Sequence, residues 1–448
     1  MSDLTKGNVL KTLIQFSLPI IGGNLFQLLY SFTDALIVGN ILGVSELAGI
    51  GATGSLSFLI IGFASGLCSG FSIVTSRLFG AKDDYQLRCA FATSLLLTLI
   101  LGLLLSVSSV LLLPHLLRLM HTPQDIFHYS LEYMQVIFGG IVITMLYNLL
   151  AGYLRSIGDS RTPLYALIMA SILNIVLDLL FIGVLSWGVA GAAIATIISQ
   201  ALSALICVLV IARRYKQLIP SRQHYALNNK LFKDLLTQGL SLGFQSSLIT
   251  MGSIMVQSAI NAMGTIYVAA NTATGKICQF FLQPLDTIGI ALSTFVGQNL
   301  GAGRIDRIKA GIRCSNMISA FWSLFSFGCS LLFAPQLLAL LITDASPDSA
   351  LIIREASFYL RVYLLFFLAL GPLLLYRNTL QAMGNKTMPM ISGFIELAIK
   401  LITAIFIAPA VGFTGIVFCD PCAWLICMLL MIFCFHHSFK GQTIQIKP

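Results

Sequence analysis

The sequence predicts an all-α integral membrane protein, with twelve transmembrane helices in two six-helix pseudo-symmetric lobes around a central cavity. Three observations predict it. Of the 448 residues, 57% are hydrophobic and 10% are charged, and the mean hydropathy is +0.91, outside the range of soluble globular domains. The chain repeats itself: SELAGIGATG (45–54) returns as IYVAANTATG (266–275), and SRLFGAK (76–82) meets GQNLGAG (297–303) at the same shift. RSIGDSRTP (155–163) returns as QAMGNKTMP (381–389), and GVAGAAIAT (188–196) meets GFTGIVFCD (412–420) after a two-residue deletion. Third, the basic residues gather on one side of the apolar runs.

A helical crossing needs about 20 mainly apolar residues. Span one (12–38) contains Pro19 and stays apolar too long, without a small-residue cleavage site, to be a removed signal. Span two (46–76) carries Gly62, Gly66 and Gly70 at four-residue intervals, a pattern that lets helices approach closely. Span three (88–113) stops at Pro114, and spans four (128–154), five (162–184) and six (188–212) complete the first half. The second half repeats the plan with spans seven to twelve: 234–262, 266–298, 308–334, 350–380, 388–409 and 412–436. Several exceed a minimal crossing, which calls for tilting or protrusion. Duplication of a six-span unit in so apolar a chain is the mark of a transporter built from two repeats. The polar connection near 213–233 divides it into an N-terminal lobe (1–215), a cytoplasmic linker (216–233) and a C-terminal lobe (234–448).

The charge bias sets the topology. Lys6 and Lys11 precede span one; Arg77, Lys82 and Arg88 follow span two; Arg155 and Arg161 follow span four; six more lie between Arg213 and Lys233. Their second-half equivalents are Arg304, Arg307, Lys309 and Arg313, then Arg377 and Lys386, then Lys440 and Lys447. This puts 21 of the 26 Lys and Arg residues on one face and both termini in the cytoplasm of a multi-pass plasma (inner) membrane protein. Six spans per half gives both halves the same orientation, hence a symmetry axis along the membrane normal. A nucleic-acid partner, which the pI near 9.1 would suggest, is excluded by this distribution. The ten cysteines are scattered through apolar helices. Cys419 and Cys422 have ligand-like spacing but no second pair, so the thiols read as small buried hydrophobes.

Polar groups inside spans mark function, because an ionisable side chain in hydrocarbon costs a few kcal/mol or more. Span one carries Asn24, Gln27, Ser31 and Asp34, spaced to fall on one helix face, with Tyr30 flanking them. Span five carries Asn174 and Asp178 one turn apart. Asp34 and Asp178 lie at similar depth, and two close carboxylates rarely ionise together without a cation, so they are candidates to share a proton or a sodium ion. The alternatives are a helix-packing hydrogen bond for span one and two unrelated interfacial acids. Span eight carries Lys276, Gln279, Gln283 and Asp286 in a second stripe that lines the cavity or forms a structural network, and span seven carries Gln245. Glu396 and Lys400 in span eleven have the spacing of an intrahelical ion pair. Lys400 is the repeat counterpart of Asn174, and Ala404 that of Asp178, so the second lobe has lost the acid–amide motif. The GxxxxGKS phosphate loop, the hydrolase nucleophile elbow and HExxH are absent, and neither Asp83-Asp84 nor His436-His437 forms an acid or histidine cluster. No catalytic residue, cofactor or structural metal is expected, and the chain reads as no enzyme.

LPIIGGNLFQLLYSFTDALIVG (18–39), LAGIGATG (47–54), RSIGDSRTP (155–163), NIVLDLLFI (174–182), GVAGAAIAT (188–196) and STFVGQNLGAGR (293–304) occur in an order and spacing that resemble the MATE (multidrug and toxic compound extrusion) family over essentially the whole chain. The resemblance implies two six-helix lobes around a V-shaped cavity and export of organic cations and amphipathic drugs in exchange for H⁺ or Na⁺. It also implies a first-lobe cation site at Tyr30, Asp34, Asn174, Asp178 and Thr196, with a small-molecule substrate, the bilayer as surroundings and a monomeric protein. Some family branches place acids in spans seven and ten. Here span seven has Gln245 and span ten no interior acid, so coupling in the second lobe would fall to Asp286 or Glu396. A flippase or exporter of a lipid-linked or metabolite substrate is the runner-up, and a membrane-embedded lipid-modifying enzyme the alternative from another class.

Overall fold

The computed structural model describes residues 3–120, 122–226, 228–342 and 348–445. All regular structure among them is helical. The helices of the first half are α1 (Val9–Ile41), α2 (Val44–Ala52), α3 (Gly54–Gly80), α4 (Asp84–Leu119), α5 (Gln124–Gly139), α6 (Ile141–Ser156), α7 (Arg161–Asp178) and α8 (Gly188–Arg214). The second half contains α9 (Asn229–Ala262), α10 (Thr265–Gly301), α11 (Ile305–Ala339), α12 (Ser349–Leu365), α13 (Phe367–Ala382), α14 (Thr387–Ile402), α15 (Ala408–Val411), α16 (Phe413–Val417) and α17 (Cys419–Gln445). Ten helices among the described residues are long and apolar enough to cross a membrane, or twelve when each of two bent pairs counts as one span. The bends are 48° between α5 and α6 and 44° between α12 and α13. These are the fourth and tenth spans of the sequence reading, and they occupy equivalent places in the two repeats.

The duplication extends to backbone detail. Gly43 and Gly264, Gly158 and Gly384, and Gly188 and Gly412 all have positive φ at matching positions. Where Gly303 has φ 69°, its counterpart Lys82 holds φ 57° despite its side chain. Each repeat also replaces the end of one span by a π-helical turn, Leu179–Val184 after α7 and Thr403–Ile407 after α14.

Side chains sort as lipid solvation requires. Ser94, Thr98, Ser106 and Ser109 of α4 face inward, as do Ser315, Ser319, Ser323, Ser326 and Ser330 of α11. The opposite faces carry exposed Ile100, Leu103 and Leu104, and Phe321, Leu324 and Leu332. A helix that is polar inside and apolar outside inverts the soluble pattern. Small hydroxyl residues allow close packing where lipid surrounds the outer face.

Among the described residues the chain falls into two compact units, one built from 3–6, 14–244 and 297–304, the other from 7–13, 245–296 and 305–445. In the first, two of the glycines singled out in span two act as expected: an added Cβ at Gly66 would meet the backbone of Gly243 at 2.8 Å, and one at Gly70 that of Gly239 at 2.6 Å. The last turn of α10 meets α3 just as closely, since a Cβ on Gly80 would lie 2.0 Å from the Gln298 carbonyl oxygen. Gln298 Nε2 donates to the Ser156 carbonyl (2.7 Å) and its Oε1 accepts from the Leu4 amide (3.2 Å). The residues between α8 and α9 include two short 3₁₀ turns, with His224 buried beneath Tyr85.

Arg377, within the tenth span as read from the sequence, lies in α13 and is only 6% exposed. One expectation is corrected. Glu396 and Lys400 do not neutralise each other: Glu396 pairs with Arg377, and Lys400 pairs with Asp420 at 3.1 Å. The reason is that α14 buries both side chains against different neighbours, so partners on other helices outcompete an i, i+4 contact. Lys447, and Lys440 beyond its backbone, lie outside the described residues.

Candidate functional site

The site in the first unit is assembled by three helices. Gly22 and Gly23 bring α1 against Leu164 and Leu167 of α7, each within 3.7 Å of a built Cβ. Farther along the same helix pair, Asp34 comes beside Asp178. After Asp178 the π-helical turn and the left-handed backbone at Ser186 and Gly188 reverse the chain into α8. Phe181 stacks on Trp187 at 4.7 Å, and the missing side chain of Gly191 leaves room for both. This hairpin places Asn174 opposite Thr196.

Asn174 and Asp178 are both 0% exposed. With the Asn174 amide nitrogen donating to Asp178 Oδ2 (2.8 Å), its oxygen accepts from the Thr196 backbone N–H (3.3 Å). The Tyr30 hydroxyl lies 3.3 Å from Thr196 Oγ1. The carboxyl groups of Asp34 and Asp178 are within hydrogen-bonding reach of each other. Each keeps a buried Oδ1 without a hydrogen-bond partner among the described residues. Two facing carboxylates bring acceptors and no donor, so their approach calls for a proton or a cation. All five residues at which the resemblance implies a cation site therefore meet within one unit.

Beside them is a cavity of about 250 Å³ lined by Gln27, Tyr30, Asn174 and Thr196. Its wall also includes Ser65, Thr144, Asn148 and Gln200, which sequence reasoning missed. They are bonded in pairs, Thr144 to Gln200 at 2.5 Å and Asn148 to Ser65 at 3.2 Å. Thr144 and Asn148 lie one turn apart on α6, and Gln200 one turn after Thr196 on α8, a spacing that could have flagged them. Tyr133 of α5 was also missed, because only packing brings it to the aspartates. It packs against Val38, Ile182 and Ala192, within electrostatic reach of both aspartates. Asn24 is half-buried and is not among the lining residues.

The second unit arranges its candidates differently. Gln245 is buried and accepts a 2.6 Å bond from Gln381 Nε2. Of the span-eight stripe, Lys276 and Gln279 are exposed, while Gln283 and Asp286 are half-buried. Asp286 lies within electrostatic reach of Arg377, the partner of Glu396. Lys400 Nζ donates to Ser253 Oγ at 2.9 Å and faces Asp420. Neither Arg377 nor Asp420 was singled out as a site residue.

A family model described as MatE matches residues 19–180 and 242–407. "Probable multidrug resistance protein YoeA" of Bacillus subtilis (strain 168) is 28% identical over 98% of this chain and 96% of its own length. "Probable multidrug resistance protein YpnP" of the same organism is 32% identical over 68% of each chain. Among solved structures, one described as "Crystal structure of MATE in the bent conformation" superposes with a TM-score of 0.90 at 23% identity, covering 99% of this chain and 98% of the other.

Proposed function

The chain belongs to the MatE family of multi-pass membrane transporters, and from that premise we propose that it is a plasma-membrane exporter of amphipathic organic cations, driven by H⁺ or Na⁺ entering through Asp34 and Asp178. The observation that carries this reading is the approach of two carboxyl groups, Asp178 fully buried and Asp34 half-buried, each keeping a buried Oδ1 without a hydrogen-bond partner among the described residues. An inorganic cation or proton supplies the missing positive partner, and the Asn174 amide holds Asp178 in position to share it.

Ion binding then acts on structure through α1. With the pair neutralised, α1 can stay against α7; without the ion, facing carboxylates repel and favour their separation. That difference between two arrangements is what alternating access requires. One elementary charge entering through 100 mV contributes about 2.3 kcal/mol to each cycle. The adjacent cavity, lined by amides, hydroxyls and the Tyr30 ring, suits a substrate held by dispersion and a few hydrogen bonds. The names of the similar Bacillus proteins support a multidrug range of substrates.

The test is efflux of a fluorescent lipophilic cation from proteoliposomes under an imposed proton gradient and, separately, a sodium gradient. Asp34→Asn and Asp178→Asn should each abolish gradient-driven efflux while leaving the protein folded. Undiminished efflux in both variants would remove the ion assignment.

A further inference from the structure

The two repeats place different chemistry at the same position. The shift that aligns Gly158 with Gly384 sets Lys400 on Asn174 and Ala404 on Asp178. The two-residue deletion that aligns Gly188 with Gly412 sets Asp420 on Thr196, and the earlier shift sets Met255 on Asp34 and Met251 on Tyr30. Backbone features follow the same correspondence: a π-helical turn follows the Asn174 and Lys400 helices alike, and a positive-φ glycine, Gly188 at the start of α8 and Gly412 just before α16, precedes Thr196 and Asp420. In the first unit the contact between those helices is Asn174 to Thr196 at 3.3 Å. In the second it is Lys400 to Asp420 at 3.1 Å.

The second unit has therefore exchanged two carboxylates for a methionine and an alanine, and gained one carboxylate together with a lysine. That lysine is accommodated by design of its surroundings. A Cβ on Gly252, the counterpart of Ser31, would lie 2.7 Å from Lys400 Cδ, so the lysine stem crosses α9 where a side chain is missing. Its ammonium reaches Ser253 Oγ (2.9 Å) and Asp420 Oδ1 (3.1 Å), with only 6% of the side chain exposed against 23% for Asp420. An ammonium is a compact point charge with three donors, close in character to a small monovalent cation.

We propose that Lys400 is a tethered cation: its ammonium fills the second unit's copy of the ion site on Asp420, and that unit takes no driving ion from the medium. The inference rests on the ion-site reading of the first unit. It assigns the second unit a constant charge state through the cycle and confines ion coupling to Asp34 and Asp178. Removing the amine leaves a half-buried carboxylate without its cation, which is destabilising, and opens a space the size of a small ammonium.

The experiment uses the full-length protein in detergent with Asp34→Asn and Asp178→Asn present throughout, so that any remaining cation response belongs to the second unit. Adding Lys400→Ala should lower the unfolding midpoint. Methylammonium in large excess over its dissociation constant should then raise that midpoint by roughly 3–5 °C, whereas bulky N-methylglucamine at equal ionic strength should not. The parent with Lys400 intact should respond to neither, and Asp420→Asn added to Lys400→Ala should abolish the response. Equal midpoints in methylammonium and N-methylglucamine, or a response that survives Asp420→Asn, would overturn the proposal. If Lys400→Ala yields folded protein only when a cation is supplied, recovery becomes the readout: monodisperse protein with methylammonium alone supports the tether, and recovery with neither salt overturns it. Whether the otherwise native protein loses its own ion response in the Asp34→Asn, Asp178→Asn background tests the first-unit reading separately.

Discussion

The Tyr30 hydroxyl lies 3.3 Å from Thr196 Oγ1, joining α1 to α8 at the wall of the cavity that Asn174 also lines. A bond of this kind contributes about 0.5–1.5 kcal/mol net. Tyr30→Phe should therefore reduce gradient-driven efflux by roughly two- to tenfold, with little change in unfolding midpoint. Thr196→Val should cost about the same, and the double variant little more than either, since both remove one bond. Fully additive losses in efflux assays would show that the two hydroxyls act independently.

Arg377 and Glu396 form a buried ion pair between α13 and α14. Removing one partner from a buried pair leaves an uncompensated charge and costs about 3–5 kcal/mol, while replacing both by apolar residues of similar volume is often neutral. Glu396→Gln should lower the thermal midpoint sharply, and Arg377→Met with Glu396→Leu should recover most of the loss. A Glu396→Gln protein as stable as the parent would mean that Asp286, also within reach of Arg377, already suffices as its counter-charge.

These cases mark what the sequence could and could not disclose. Hydropathy, the repeat and the Asp34 and Asp178 patterns are one-dimensional signals, so the apolar spans and the meeting of Asp34, Asn174 and Asp178 were legible, whereas Thr196 joined them only through the family resemblance. Lys400 and Glu396 were misread because i, i+4 spacing reports what can meet on one helix, whereas burial lets residues of other helices compete. Asn148, Gln200 and Tyr133 went unread: Thr144–Asn148 and Thr196–Gln200 do have i, i+4 spacing, but uncharged amides and hydroxyls also serve ordinary helix packing, and only the packed structure brings their helices together.

The placement of both termini in the cytoplasm is open to a direct test by thiol labelling. Lys82 between α3 and α4 and Gln124 at the start of α5 are exposed and belong on opposite sides under the charge-bias topology. A membrane-impermeant maleimide should label Gln124→Cys in intact cells and Lys82→Cys only after permeabilisation. Of the native cysteines, Cys422 is exposed, on the apolar helix α17. Changing it to serine removes any background. The opposite labelling pattern would invert the topology.

The crossing of α3 and α10 makes the most local prediction. A Cβ on Gly80 would lie 2.0 Å from the Gln298 carbonyl oxygen, and one on Gly301 would lie 2.0 Å from that of Arg77. Backbone oxygens cannot rotate aside as side chains can, so Gly80→Ala or Gly301→Ala must push the helix ends apart, at about 1–3 kcal/mol each. The separation should also loosen the Gln298 side chain, which bonds Ser156 on one side and the buried Leu4 amide on the other. Hydrogen exchange at Leu4 should accordingly accelerate along with the fall in unfolding midpoint. Gly275, in the same helix α10, has nothing within 4 Å of a built Cβ, so Gly275→Ala should gain up to about 1 kcal/mol from helix propensity and leave Leu4 protected. If all three alanine variants lose stability equally, steric contact at the crossing is not what selects glycine there.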